Sequence, residues 1–297
     1  MLTALIPTYN YDIYPLVVEL ESQLRKANIV FEILCIDDGS LSDLNKENQK
    51  INALKNSLFI ENKTNIGRSA IRNLLAKKAK HEWLLFLDAD TQISNKKFIE
   101  NYIDEIKPSN QIVYGGICYQ KNKPKKNQML RWVYGNKREA LNVTQRNKDK
   151  YLRFLTLNFL IKKSVFDQVK FNESIPNSRH EDTLFAYDLK RSEINILHIN
   201  NPVYHMGIET SKLFIKKSLE SVDSIVHLTN NNLIPKKHIK IMKVYDFLKK
   251  TFLNSFLIYI YVKHNSFFEK NLLSSRPSLL VFDLYRLSYL CLINKRK

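Results

Sequence analysis

Asp88 and Asp90 flank a single alanine directly after the apolar run Trp83–Leu87 of this 297-residue chain. Two carboxylates at a strand end are costly to hold together unless a cation or hydrogen bonds offset their charge. A hard divalent ion is the natural compensator. Mg²⁺ takes carboxylate and phosphate oxygens together, and Mn²⁺ tolerates the same ligands, so the pair could bridge the protein to a diphosphate. A turn former or helix cap needs the same residue types.

Further polar groups recur at the ends of apolar segments. Asp37 and Asp38 precede Gly39, where an ionised carboxylate can accept hydrogen bonds from a ribose hydroxyl or a base N–H, or can serve an Asp-Gly turn. Asn65, Ile66, Gly67 and Arg68 lead into a helical pattern whose first N–H groups, with the Arg68 guanidinium, suit a phosphate. Glu181 and Asp182 stand before another helical pattern. Asp182 can cap that helix or act as a general base toward a hydroxyl. His180 and His205 are candidate ligands or bases, with simple hydrogen-bonding roles as the alternative.

These residues need elements to hold them. Short apolar runs over 2–6, 31–36, Ser57–Glu61 and Trp83–Leu87 read as strands covered on both faces. Between them apolar residues fall at helical spacing: Val17, Leu20 and Leu24, then Ile71, Leu74 and Leu75, then Ile99, Tyr102 and Ile103. The expected fold is α/β with a mostly parallel sheet, which binds ligands beyond the carboxyl ends of its strands. Further strands are expected over 112–118, 154–161 and 194–199, and a helix over 183–191. We expect a catalytic domain over 1–210, with halves 1–110 and 111–210, and a mainly helical basic region over 211–297.

Charge is concentrated beyond the first third. Residues 1–110 carry 14 basic against 15 acidic side chains, 111–205 carry 17 against 8, and 206–297 carry 16 against 6, for a net charge of +18. Within 119–153 the ratio is 11 to two, so a phosphate-bearing lipid, an anionic membrane surface or nucleic acid would be attracted there. The runs 252–262 and 278–293 are too short or too polar to span a bilayer. They suit helices that lie in a membrane interface or pack against protein. Cys35, Cys118 and Cys291 lack disulfide-framework or metal spacing, the N-terminus lacks a secretory pattern, and a reducing compartment is expected.

Taken together and in order, Pro7-Thr8-Tyr9-Asn10, Ile36-Asp37-Asp38-Gly39-Ser40, Asn65-Ile66-Gly67-Arg68 with Ala70-Ile71-Arg72-Asn73, Asp88-Ala89-Asp90 and Glu181-Asp182 resemble the landmarks of family 2 glycosyltransferases, whose nucleotide-sugar-binding fold is called GT-A. The resemblance covers about the first 205 residues. It implies that Thr8 and Tyr9 border the nucleotide base, that Asp38 contacts base or ribose, that Arg68 lies near the nucleotide, and that Asp88 lies near its ribose or the metal shell. It further implies Asp90 as ligand of a Mn²⁺ or Mg²⁺ ion, His205 beside that metal, and Asp182 as catalytic base. The implied activity is metal-dependent, inverting transfer of one sugar from a nucleotide diphosphate sugar, with a UDP-sugar favoured.

The implied acceptor is a hydroxyl of a glycan or lipid-diphosphate-linked glycan, in a non-processive enzyme of bacterial surface-glycan type such as capsule or lipopolysaccharide synthesis. The letters of Gln128-Met129-Leu130-Arg131-Trp132 resemble a processive-synthase motif but precede Glu181-Asp182, the wrong order for that role. The expected compartment is the cytoplasm, free or at the cytoplasmic face of the membrane, with an anionic membrane surface as a further partner. Nucleotidyl transfer, which needs the same carboxylates and metal, is the alternative enzyme reading. A nucleic-acid-binding protein is the non-enzymatic alternative and is disfavoured, and a membrane-surface scaffold is a third. No Gly-x-Gly-x-x-Gly or Gly-Lys-Ser/Thr motif is present, which argues against dinucleotide-fold and P-loop proteins.

Overall fold

The apolar runs of the first third become neighbouring parallel strands in the computed structural model, which describes residues 1–175 and 179–295. Strands β1 (Leu2–Thr8), β2 (Phe31–Asp37), β3 (Ser57–Glu61) and β4 (Trp83–Leu87) alternate with helices α1 (Tyr14–Lys26), α2 (Asn45–Asn48) and α3 (Arg68–Lys78). Every residue of β2 and β4 is buried, as expected for strands covered on both faces. In register, Thr8 lies beside Asp37, so the first two polar strand ends share one edge of the sheet.

After β4 come β5 (Thr91–Ile93), α4 (Phe98–Ile103), β6 (Ile112–Tyr114), β7 (Ile117–Cys118), α5 (Met129–Tyr134), α6 (Val143–Asn147), β8 (Asn158–Lys162), α7 (Lys163–Gln168), α8 (Glu181–Arg191), β9 (Ile196–His198) and β10 (Val203–His205). Among the described residues the larger sheet has the order β3-β2-β1-β4-β8-β6-β9. It is mixed, because β8 runs antiparallel to both β4 and β6. The expected single strand over 112–118 divides at Gly115 and Gly116. Gly116 has φ +99°, which only glycine adopts cheaply, and the break sends β7 to a second sheet, β5-β10-β7. The strand expected over 154–161 starts later, and the helix expected over 183–191 starts earlier, at Glu181.

The core beneath this sheet is aromatic. Phe86 stacks on Phe159 at 4.9 Å, and Phe185 of α8 stacks on Phe171 at 4.2 Å. Such pairs add about 0.5–1.5 kcal/mol each beyond area burial, which fixes α8 and with it the position of Glu181 and Asp182. Arg146 of α6 is buried, and its guanidinium reaches past the ends of β6 and β9 to donate to the carbonyls of Tyr114, Gly115 and Ile199.

The chain divides into two compact units: residues 1–119, 139–175 and 181–207 form one, and 120–138, 179–180 and 208–295 the other. In the second unit lie α5, α9 (Ser211–Asn230), α10 (Lys240–Lys250), α11 (Asn254–Leu272) and α12 (Leu279–Lys295). Leu130, Ile215, Phe268, Leu272, Phe282 and Tyr285 form its buried cluster. The run over 278–293 thus becomes α12, with Phe282, Tyr285, Leu290 and Cys291 buried. Among the described residues no helix is long and apolar enough to cross a membrane.

Candidate active site

The first strand end is built around Asp38. Its N–H donates to the Thr8 carbonyl at 2.9 Å, and its carboxylate accepts the N–H groups of Ile66 at 2.8 Å and Gly67 at 3.0 Å. Burial pushes this carboxyl above its ordinary pKa, against those hydrogen bonds. Asp38 therefore braces the loop that leads into α3, and Thr8 and Tyr9 stand beside it at the end of β1. Thr8 is buried and Tyr9 is exposed. Gly39, at φ +70°, permits the turn; a Cβ there would meet the Thr64 carbonyl carbon at 2.4 Å. Asp37 closes the same turn by accepting from the Ser40 N–H and hydroxyl.

Helix α3 then presents two guanidinium groups one turn apart. Arg68, with half its side chain exposed, lies 3.8 Å from Glu181. Arg72 is buried and bridges Asp88 at 2.7 Å and Glu181 at 3.6 Å, while its guanidinium lies over the Phe171 ring. Sequence reading places Arg72 within a landmark and gives it no role. Its i+4 relation to Arg68 was the available signal. The structure makes it the residue that ties the end of β4 to the start of α8.

Asp182 lies on the first turn of α8, and its Oδ1 accepts the Thr183 N–H at 2.7 Å. Burial raises its pKa above the ordinary carboxylate value, opposed by the Thr183 hydrogen bond and by the positive charges of Arg72 and Arg68. A carboxylate so placed is a stronger base than a solvated one. His180 points elsewhere: its Nε2 lies 2.7 Å from the Ser221 hydroxyl, within the helical unit. Ser178, which opens the Ser-Arg-His-Glu-Asp stretch over 178–182 in the sequence, lies outside the described residues.

Asp90 and His205 meet through the smaller sheet. Antiparallel pairing sets His205 opposite Thr91, and the Met206 N–H donates to the Asp90 carbonyl at 2.8 Å. The result is an Asp90 Oδ2 to His205 Nε2 separation of 3.5 Å, with the buried His205 Nδ1 left without a hydrogen-bond partner. Gly207 completes the cradle, since a Cβ there would lie 2.0 Å from Asp90 Oδ2. Tyr11, whose pKa is raised first by burial and then by the Asp90 charge, is a neighbour that sequence reading did not single out.

One carboxylate and one imidazole suit Mn²⁺ or Mg²⁺ only if other ligands complete the shell, and a diphosphate and water would do so. The described residues contain no group of three or more His, Cys, Asp or Glu that could cage a metal. The donor set thus fits a metal shared with a phosphate ligand. Of the sequence-derived candidates, Arg68 and Asp88 join the Arg72–Glu181 charge network, whose positive charges act on Asp182, Asp90 and His205 form a second pair two residues along the chain from Asp88, and Thr8, Tyr9 and Asp38 form the first strand end.

The family described as Glycosyl transferase family 2 matches residues 3–175. A Haemophilus influenzae protein described as an uncharacterized glycosyltransferase is 28% identical over 201 residues, which is 67% of this chain and 75% of that protein. Among solved structures, mannosyltransferase PcManGT from Pyrobaculum calidifontis, in complex with GDP-Man and Mn²⁺, has a TM-score of 0.52 at 14% identity. The match covers 77% of this chain and 64% of that one, so this chain spans less than two thirds of the mannosyltransferase. TarS 1-349 of S. aureus, in complex with UDP, has a TM-score of 0.50 at 18% identity, over 99% of this chain and 91% of that chain. These likenesses are of fold: α/β, a mixed and mostly parallel sheet of the GT-A type, with helices following it.

Proposed function

The chain belongs to glycosyl transferase family 2, and on that premise we propose that it moves one sugar from a UDP-sugar to a hydroxyl of a glycan or lipid-diphosphate-linked glycan, with inversion at the anomeric carbon. The observation that carries this reading is the single charge array in which buried Arg72 ties Asp88, in the same strand-end motif as Asp90, to Glu181, the sequence neighbour of Asp182. UDP is favoured over GDP because the TarS match spans nearly the whole chain, whereas the GDP-Man-bound relative is matched over less of it. Within the basic segment 119–153, the exposed Lys121, Lys123, Lys125 and Lys126 support a phosphate-bearing acceptor.

In the proposed reaction Asp182 takes the proton of the acceptor hydroxyl as its oxygen attacks the anomeric carbon. The bond from that carbon to the diphosphate oxygen breaks, and the nucleoside diphosphate leaves with the electron pair. Arg68 offsets part of the negative charge that grows on the leaving group, and Arg72 keeps Asp88 and Glu181 in place without reaching solvent. A Mn²⁺ or Mg²⁺ held by Asp90 and His205 would supply Lewis-acid stabilisation of the same diphosphate.

Product analysis tests this directly. Incubation with UDP-sugar and acceptor is expected to release UDP in step with glycosylated product, and Asp182→Asn is expected to lower turnover by about 10²–10⁴-fold while donor binding persists. Release of pyrophosphate in place of UDP would identify nucleotidyl transfer. Undiminished turnover in a folded Asp182→Asn protein would remove Asp182 from the reaction.

A further inference from the structure

The helical unit contains a surface that its own packing leaves uncovered. Seven of the exposed large apolar side chains lie between residues 244 and 262, led by Phe252 at 84%, Phe247 at 62% and Phe256 at 61%. They form two stripes. On α10, Val244 and Phe247 are exposed one turn apart while Met242 and Tyr245 face inward. On α11, Phe256, Tyr259 and Val262 are exposed at i, i+3 and i+6, while Leu257 and Ile258 are buried. Both stripes run into the corner at 251–253.

That corner is strained. Phe252 has φ +58°, a left-handed conformation that a bulky aromatic residue adopts at a cost. The conformation closes the end of α10, with the Leu253 N–H donating to the Leu248 carbonyl at 3.0 Å, and sets the most exposed phenyl ring of the chain at the apex of the surface. Around it the charge has one sign: residues 236–263 contain seven lysines and a single acidic residue, Asp246. Lys243, Lys249, Lys250 and Lys263 are exposed among or beside the aromatic side chains.

We propose that the α10–α11 corner is a docking surface for an anionic lipid bilayer, into which Phe247, Phe252 and Phe256 insert while the lysines meet the headgroups. The chemistry matches an interfacial helix: rings at the depth of the upper acyl chains, Tyr259 at the headgroup level, and lysine stems extending toward phosphate. No described helix is long and apolar enough to cross a membrane, so the corner lies on the surface and does not span it. A second copy of the chain is the poorer occupant, because a two-fold contact would bring two sets of seven lysines together. The inference is independent of the proposed sugar transfer, since none of its residues belongs to the candidate active site.

The test uses the full chain with sedimented vesicles of phosphatidylcholine, alone or with about a third phosphatidylglycerol, at about 0.05 and 0.5 M salt. Partitioning is expected to be at least about tenfold stronger on the anionic vesicles and to weaken at high salt. Phe252→Ser with Phe256→Ser is expected to reduce it by about tenfold or more, and Lys249→Glu with Lys250→Glu to remove most of the preference for anionic lipid. Because these side chains are exposed, the melting temperature should stay unchanged. Phe252→Trp gives a second readout: its emission should shift to the blue and be quenched by brominated lipid. Equal sedimentation with and without vesicles, or Trp emission indifferent to brominated lipid, would overturn the proposal. A concentration-dependent dimer that shields the Trp in the absence of lipid, without vesicle binding, would assign the surface to a second copy instead.

Discussion

At the scale of single residues, two titrating groups carry opposite signs. Burial raises the Asp182 pKa, so the folded protein holds that proton more tightly than the unfolded chain. Its contribution to stability is present below the unfolded pKa and is lost as pH rises through the folded one. Asp182→Asn removes a partly buried charge and is therefore expected to melt at pH 7 no lower than the parent, even as turnover collapses. The acid limb of kcat/KM should also lie above the range of an ordinary carboxylate, a pH–rate profile being the measurement. His198 behaves oppositely. Burial and the nearby Arg146 charge push its pKa from 6.5 down to about 4, while its Nε2 lies 3.0 Å from the Lys150 carbonyl. The unfolded chain binds the extra proton between those values, so stability present above about pH 6.5 falls as pH drops toward 4, by at most about 3 kcal/mol. Denaturation across that window should show the decline in the parent and a flatter profile in His198→Gln.

Elements decide which of these residues meet. The strand and helix pattern of the first third was legible because period-3.6 helices alternate with short apolar runs, and Trp83–Leu87 is β4 without change of bounds. The chain beyond β4 was less legible. The antiparallel insertion of β8 between β4 and β6, and the smaller sheet that sets His205 opposite Thr91, depend on pairings distant in sequence that leave no local period. His205 was linked to the metal only through family resemblance, and its approach to Asp90 is a property of β5 and β10. Gly207 carries that approach in its missing side chain. We expect Gly207→Ala, whose Cβ would lie 2.0 Å from Asp90 Oδ2, to displace the carboxylate. Activity should fall by about tenfold or more and the Mn²⁺ concentration for half-maximal rate should rise, with little change in melting temperature. Unchanged metal dependence would show that the Asp90 carboxylate tolerates the shift.

At the scale of the whole molecule, the charge gradient along the sequence acquires addresses. The first unit holds the carboxylates and guanidinium groups of the candidate site, whereas the second gathers 120–138 with the C-terminal helices. A linear reading of the basic middle segment could not divide it this way, because the partners of 120–138 lie beyond residue 208. Helix α12 shows the same limit: it buries Phe282, Tyr285, Leu290 and Cys291, while much of the similar run over 252–262 is exposed, and composition alone does not distinguish them. In the proposed reaction Asp90 and Asp182 serve one donor, the first through its metal and the second through the acceptor proton. Titration of a UDP-sugar in the presence and absence of Mn²⁺ against the parent, Asp90→Asn and Asp182→Asn tests it most directly. Binding is expected to depend on Mn²⁺, to be weakened at least about tenfold in Asp90→Asn and to be retained in Asp182→Asn, whose turnover is lost. Parent-like, Mn²⁺-dependent binding by folded Asp90→Asn, or parent-like turnover by Asp182→Asn, would contradict it.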